Sequence, residues 1–187
     1  PDKEQLTEDI RLSNLQLYPF QDSSVSESTF GYANESGDWV IPPRSKIEEP
    51  SFFSQGYAVV GVNGLYGVID KRGVEIVPFI YDEIELLENS LILVSLNGLY
   101  GLLNRDGSIR HPVEYTQVVD IDSFYYSLYK GEKSELYCID SSAPMFFEPS
   151  ELELLDSCYY LAYDFDGMKV GLFKPKANCE LKEAVSY

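Results

Sequence analysis

A five-residue motif occurs twice in this chain. Asn63-Gly64-Leu65-Tyr66-Gly67 recurs as Asn97-Gly98-Leu99-Tyr100-Gly101, 34 residues later. A repeat of this period constrains the fold more than composition does. Each unit is too small to bury a face alone, so it takes one structure and stacks on its copies. The match runs past the motif. Val68-Ile69-Asp70-Lys71-Arg72-Gly73 aligns with Leu102-Leu103-Asn104-Arg105-Asp106-Gly107, Pro78 with Pro112, and Tyr81 with Tyr115. An earlier copy places Gly31, Gly37 and Pro42 each 36 residues before Gly67, Gly73 and Pro78. A two-residue loop insertion accounts for the longer period.

Later copies decay. Leu136-Tyr137-Cys138-Ile139-Asp140 keeps the apolar pattern but has Tyr137 in place of the glycine, and Gly171 restores it 70 residues after Gly101. The count is about five units, near residues 30–65, 66–99, 100–135, 136–169 and 170–187. Residues 1–29 stand outside the repeat. Leu6 and Ile10 at i, i+4 predict one or two helical turns, and Leu15 to Phe20 reads as a strand. This segment is a cap on the first unit or a tail.

Within a unit the local chemistry is that of antiparallel strands. Asn-Gly at 63–64 and 97–98 is the strongest short hairpin signal. Asp70-Lys71-Arg72-Gly73, Asn104-Arg105-Asp106-Gly107 and Asn34-Glu35-Ser36-Gly37 open with a turn-favouring Asp or Asn and close with Gly. This is a type I turn followed by a left-handed residue. Val74 to Val77 alternates, and Pro78 ends that strand or places it at a sheet edge. The predicted fold is all-β: about five tandem antiparallel meanders of 34–36 residues in an open curved array, with a closed propeller as the alternative.

The residues Gly64 to Asp70, with Trp39-Val40-Ile41-Pro42-Pro43 and Phe53-Ser54-Gln55-Gly56-Tyr57-Ala58-Val59-Val60, resemble the WG (KWG) repeat family. A typical member reads N-G-K-W-G-Y-I-D-K-T-G-K-x-V-I-P-P and then F-S-E-G-L-A-x-V. The resemblance is close over residues 30–120 and weak over 121–187. Tyr66 and Tyr100 stand where the family has Trp. The repeat-defining residues are then Gly31, Trp39, Gly64, Tyr66, Gly67, Gly73, Gly98, Tyr100, Gly101, Gly107 and Gly171. The resemblance implies a β-repeat architecture common in bacteria and no single activity. Some similar proteins sit beside secreted toxins as candidate immunity proteins.

Charge bears on partners. With 31 acidic and 14 basic residues the net charge is -17, which argues against binding nucleic acid through phosphate neutralisation. No apolar run reaches the ~18 residues of a membrane span, so neither nucleic acid nor membrane insertion is expected. The charge is uneven: from His111 to Met168 two lysines, Lys130 and Lys133, face twelve acids. The same stretch carries tyrosines that the repeat does not require. Tyrosine among carboxylates suits recognition of a cationic protein. The expected partner-binding residues are Tyr125, Tyr126, Tyr129, Glu151, Glu153, Asp156, Tyr159, Tyr160, Tyr163 and Asp164. Aromatic filling of β cores and plain surface solubility are the bland alternative.

Catalytic signals are poor, and no enzyme is expected. His111 is the lone histidine, at a turn or strand-end position before Pro112. Cys138, Cys158 and Cys179 have no CxxC spacing and read as buried or incidental thiols, without disulfide or metal. Alternation puts Glu83 and Glu85 on one strand face and turns Ile84 inward, and it does the same for Glu151, Glu153 and Leu154. A solvated face explains those carboxylates, and no cofactor motif is present. The leading reading is a non-enzymatic module that binds a basic protein, in concrete form an immunity or inhibitor protein against a basic, nuclease-like toxin. The alternative is an envelope or surface module that binds a ligand such as a glycan. The chain does not start with Met, which fits processing. The cytoplasm is the favoured location, and export after signal removal is the other.

Overall fold

The computed structural model describes residues 3–22, 29–43, 47–120, 125–131, 133–139, 151–156, 159–163 and 169–173. One helix, α1 (Lys3–Asn14), precedes seventeen short strands among these residues. They form five antiparallel sheets in chain order. The first contains β1 (Tyr18–Asp22), β2 (Thr29–Ala33) and β3 (Trp39–Ile41). The second contains β4 (Ile47–Pro50), β5 (Tyr57–Val62), β6 (Leu65–Asp70) and β7 (Glu75–Tyr81). The third contains β8 (Glu83–Leu86), β9 (Leu91–Leu96), β10 (Leu99–Asn104) and β11 (Ile109–Tyr115). The fourth contains β12 (Gln117–Asp120), β13 (Tyr125–Lys130) and β14 (Lys133–Cys138), and the fifth β15 (Glu151–Asp156), β16 (Tyr159–Tyr163) and β17 (Lys169–Phe173). Among the described residues every sheet is a simple meander, with its strands paired in sequence order. The architecture is the all-β repeat fold that the sequence predicts, built from open sheets. The chain divides into two compact units, Pro1–Val113 and Glu114–Tyr187.

The sheets are out of phase with the sequence repeat. β5 and β6 pair through the Asn63-Gly64 turn, from Tyr57↔Asp70 to Val62↔Leu65. β9 and β10 pair through Asn97-Gly98 in the same way, from Leu91↔Asn104 to Leu96↔Leu99. Each repeated motif therefore sits in the middle of a sheet. The last two strands of one sequence unit are joined to the first two of the next, so neighbouring units are stitched together by backbone hydrogen bonds as well as by packing.

The turns have the predicted chemistry. Asn63, Gly64, Asn97 and Gly98 all have positive φ, between 53° and 77°, as a type I′ hairpin requires. At the longer hairpin the Asp70 carboxylate accepts the N–H groups of Arg72 (2.8 Å) and Val74 (2.9 Å). Asn34 repeats this with Ser36 and Asp38. In the third copy Asp106 accepts both the N–H and the hydroxyl of Ser108, which holds its carboxyl below the usual range. Pro78 lies inside β7 and Pro112 inside β11, and both strands are sheet edges, where a missing N–H donor costs least.

The motif glycine is a packing requirement. A Cβ on Gly67 would lie 2.7 Å from both the Val77 carbonyl oxygen and the Phe79 ring. On Gly31 it would lie 2.5 Å from the Ile41 oxygen, and on Gly101 2.9 Å from Val113. In the second sheet the ladder shifts register across Gly67, between Tyr66 and Val68, and again between Val68 and Ile69.

In the first unit, Leu17, Tyr32, Ile41, Ala58, Val60 and Ile69 form one core cluster. Val68, Val77, Tyr81, Ile92, Val94 and Leu103 form a second. Ile84 packs against the second while Glu83 and Glu85 stay exposed, as the alternation predicts. The helix has three turns, longer than the one or two predicted. Leu12 and Leu17 are buried. Lys71, at the tip of the second hairpin, donates to the carbonyls of Ser13 (2.8 Å) and Leu15 (2.7 Å). A cation on the open carbonyls of a helix C-terminus is favourably placed. The aligned Arg105 reaches back likewise, to Gln55 (2.5 Å) and over the Tyr57 ring. Lys71→Met should weaken the α1 attachment by about 1–2 kcal/mol, the scale for hydrogen bonds from a charged donor at a half-buried site. The readout is faster amide exchange at Leu15, whose N–H bonds to Leu12, with β9 protection unchanged.

Candidate functional site

The fourth sheet places part of the predicted tyrosine set. On β13, Tyr125 and Tyr126 are buried, Tyr126 to 0% exposure. Tyr126 faces Tyr137 across the ladder, and the two rings stack at 5.5 Å with 5° between planes. These two predicted contact residues are core residues, because both faces of β13 are covered at this point. Tyr129 is half-buried and lies between Gln117 and Ser134 in the register.

The charges there are partly tied up. Lys130 donates to Glu114 at 2.6 Å, an exposed ion pair, and lies 4.9 Å from the Tyr115 ring centre. The Glu114 hydrogen bond raises the Lys130 pKa, so the lysine stays charged and spoken for. Tyr137 donates to Glu135 at 2.7 Å. Burial first, and that carboxylate second, push its phenol up.

In the fifth sheet, β15 carries Glu151, Glu153 and Asp156, and β16 carries Tyr159, Tyr160 and Tyr163. The register sets Glu151 opposite Tyr163, Glu153 opposite Leu161, Leu154 opposite Tyr160, and Asp156 opposite Tyr159. Acidic and tyrosine positions therefore meet along one two-strand ladder. Asp164 lies outside the described residues.

Two expectations are corrected. Cys138 is disulfide-bonded, so it is not a free thiol; its partner lies outside the described residues. Cysteine pairing depends on spatial approach, which spacing alone does not give. His111 is buried within β11 at 6% exposure, not at a surface or half-buried strand end. Its repeat equivalent Val77 is fully buried, and the position is a core one in both copies. Among the described residues no three His, Cys, Asp or Glu side chains are grouped to hold a metal, and no helix is long and apolar enough to cross a membrane.

The first unit contains a concave site that the sequence reading did not assemble. Val59, Tyr66, Asp82, Glu83, Ile84, Glu85, Leu93, Ser95 and Tyr100 line a cavity of about 430 Å3. A second hollow, of about 560 Å3, shares Val59, Tyr66, Ile84 and Glu85 with it and extends to Glu49 and Phe52. The register explains the clustering. Glu83, Ser95 and Tyr100 form one row across β8, β9 and β10. Glu49, Gly61 and Tyr66 form the equivalent row across β4, β5 and β6. There, the small Gly61 lets the Tyr66 ring lie beside it, and the phenol donates to Glu49 at 2.5 Å. That hydrogen bond is the main cause of a raised Tyr66 pKa.

A meander of four strands, bridged by I′ turns and closed over a motif glycine, defines a β-repeat protein. Residues 30–66 and 66–100 each match the WG containing repeat, so this stretch carries two repeats of the WG type. The matched repeats cut across the sheets as the register requires. No curated protein matches the chain. Similar solved structures include a crystal structure of the eukaryotic initiation factor, with TM-score 0.47 and 10% identity over 94% of this chain and 52% of that one. Another is the WD40 beta propeller domain of Doa1, with TM-score 0.30 and 9% identity over 94% of this chain and 68% of that one. The chain spans about half the length of the initiation-factor chain.

Proposed function

We propose that the chain is a non-enzymatic interaction module that holds a basic protein partner. The observation that carries this is the charge of the second half: twelve acids against two lysines between His111 and Met168. One of those lysines is already engaged by Glu114. An excess of carboxylate at this density repels anionic partners and steers cationic ones. The register of β15 against β16, with acids opposite tyrosines, supplies the mixture of charge and aromatic area that protein contacts use. In its concrete form the module is an immunity or inhibitor protein against a basic, nuclease-like toxin. The cytoplasm suits such a role, while the Cys138 disulfide fits an oxidising compartment and so favours export.

The variant Glu151→Lys, Glu153→Lys, Asp156→Lys tests the reading. It should lose most recovery of the co-produced basic partner, and wild-type association should slow as salt rises past the ~10 Å Debye length of 0.1 M solution. Equal recovery by both folded proteins overturns the reading. Binding that ignores salt points instead to a neutral ligand such as a glycan.

A further inference from the structure

We infer that the groove beside β8 is a receptor for a single arginine side chain on an extended basic segment. The inference rests on the reading of a cationic partner but places a contact on the first unit, away from the acids that carry that reading.

Four carboxylates rim the two connected hollows: Glu49, Asp82, Glu83 and Glu85. No basic side chain is among the lining residues. Two of the four have internal work. Glu49 accepts the Tyr66 hydroxyl, and Asp82 accepts the Asn97 N–H at 2.6 Å, which braces the hairpin. The carboxylates of Glu83 and Glu85 make no hydrogen bond or ion pair among the described residues, and their backbones are held in the ladder with β9. They stand two apart on an edge strand whose outer side has no strand partner.

The floor supplies a second, independent sign of a ligand. Ser95 lines the cavity at 6% exposure. Its carbonyl accepts the Asp82 N–H, while its hydroxyl has no hydrogen-bond partner among the described residues. The sealed and unpartnered side-chain atoms among the described residues are Thr29 Oγ1 and Arg105 Nε, so the Ser95 oxygen is open to the cavity, where an entering donor can meet it. Val59, Ile84 and Leu93 give the cavity apolar walls, and Tyr66 and Tyr100 give it aromatic ones.

These features favour arginine over lysine. The guanidinium is flat and weakly hydrated, stacks on tyrosine, and presents a fork of N–H donors to paired carboxylates. A lysine ammonium is a point charge that keeps its water more tightly and gains less from two rings. The methylene stem of an arginine would cover Val59 and Ile84, and its donors would reach Glu83, Glu85 and the Ser95 hydroxyl.

The experiment titrates the isotopically labelled full chain with three capped tripeptides, Gly-Arg-Gly, Gly-Lys-Gly and Gly-citrulline-Gly, and follows backbone amide shifts. The arginine peptide should shift Glu83, Ile84, Ser95 and Tyr100, the lysine peptide less, and the neutral citrulline isostere least. Glu83→Gln with Glu85→Gln keeps shape and exposure, and should weaken the arginine peptide about five- to tenfold, the scale for two exposed charge contacts. Equal shifts from arginine and citrulline, shifts centred elsewhere, or an unaffected double variant would each overturn the inference. If the groove fails while the Glu151/Glu153/Asp156 variant still loses the protein partner, the inference falls and the wider reading stands. If neither responds, both fall.

Discussion

Gly107→Ala should be the most destabilising of three equivalent glycine substitutions, ahead of Gly73→Ala, with Gly37→Ala mildest. All three glycines close the same hairpin turn, and all have φ near +80°. Alanine pays the left-handed backbone penalty at each, about 1–2 kcal/mol. What differs is the neighbourhood. A Cβ on Gly37 would meet nothing within 4 Å. On Gly73 it would press a methyl of Ile41 at 3.1 Å, which a side chain can yield. On Gly107 it would collide with the backbone carbonyl oxygen of Ile76, which cannot move without disturbing β7. Overpacking adds about 1–3 kcal/mol, so with the backbone penalty Gly107→Ala should cost about 2–5 kcal/mol in all. At 2–4 °C per kcal/mol for a chain of this size, that is a fall of about 4–20 °C in the melting of the first unit. Equal losses at the three sites would show that backbone strain alone matters and that the hairpin tips do not carry the stacking.

That gradient marks what a repeat sequence can and cannot reveal. Turn chemistry is local, so Asn63-Gly64 and Asp70 to Gly73 announce their own conformations. The strand alternation around Ile84 is equally local. The phase of the sheets is not, because a periodic sequence looks the same wherever the period is cut. Only the pairing of β5 with β6 shows that the units interlock. Composition names Tyr125 and Tyr126 as partner contacts, because they are tyrosines the repeat does not require in an acidic stretch. Both are buried because β13 is covered on both sides, a tertiary fact. His111 could have been placed correctly from its alignment with Val77, a fully apolar core position. The groove was out of reach for another reason. Its residues come from six strands and adjoining loops between Glu49 and Tyr100, and Glu83 and Glu85 read singly are an ordinary solvated face. The unmatched Ser95 hydroxyl has no signature in sequence.

Reduction should open the second unit and leave the first intact. Cys138 ends β14 and lies opposite Tyr125 in the register, at the buried side of the fourth sheet. Its disulfide therefore ties the strand that carries Tyr137 to another part of the chain. Breaking a native disulfide in a small domain typically costs 2–5 kcal/mol. The fourth sheet has three strands and much of its core in the Tyr126–Tyr137 stack, so a loss on this scale is large for it. Amide exchange with and without reductant separates the cases: β13 and β14 should lose protection while β5, β6, β9 and β10 keep theirs, and Cys138→Ser should reproduce the effect without reductant. The consequence for binding follows from position. The acids proposed to hold a basic partner lie in the same unit as the disulfide, so reductant should lower partner capture even though it changes no charge. If capture and protection are both indifferent to reductant, the disulfide does not support the binding surface.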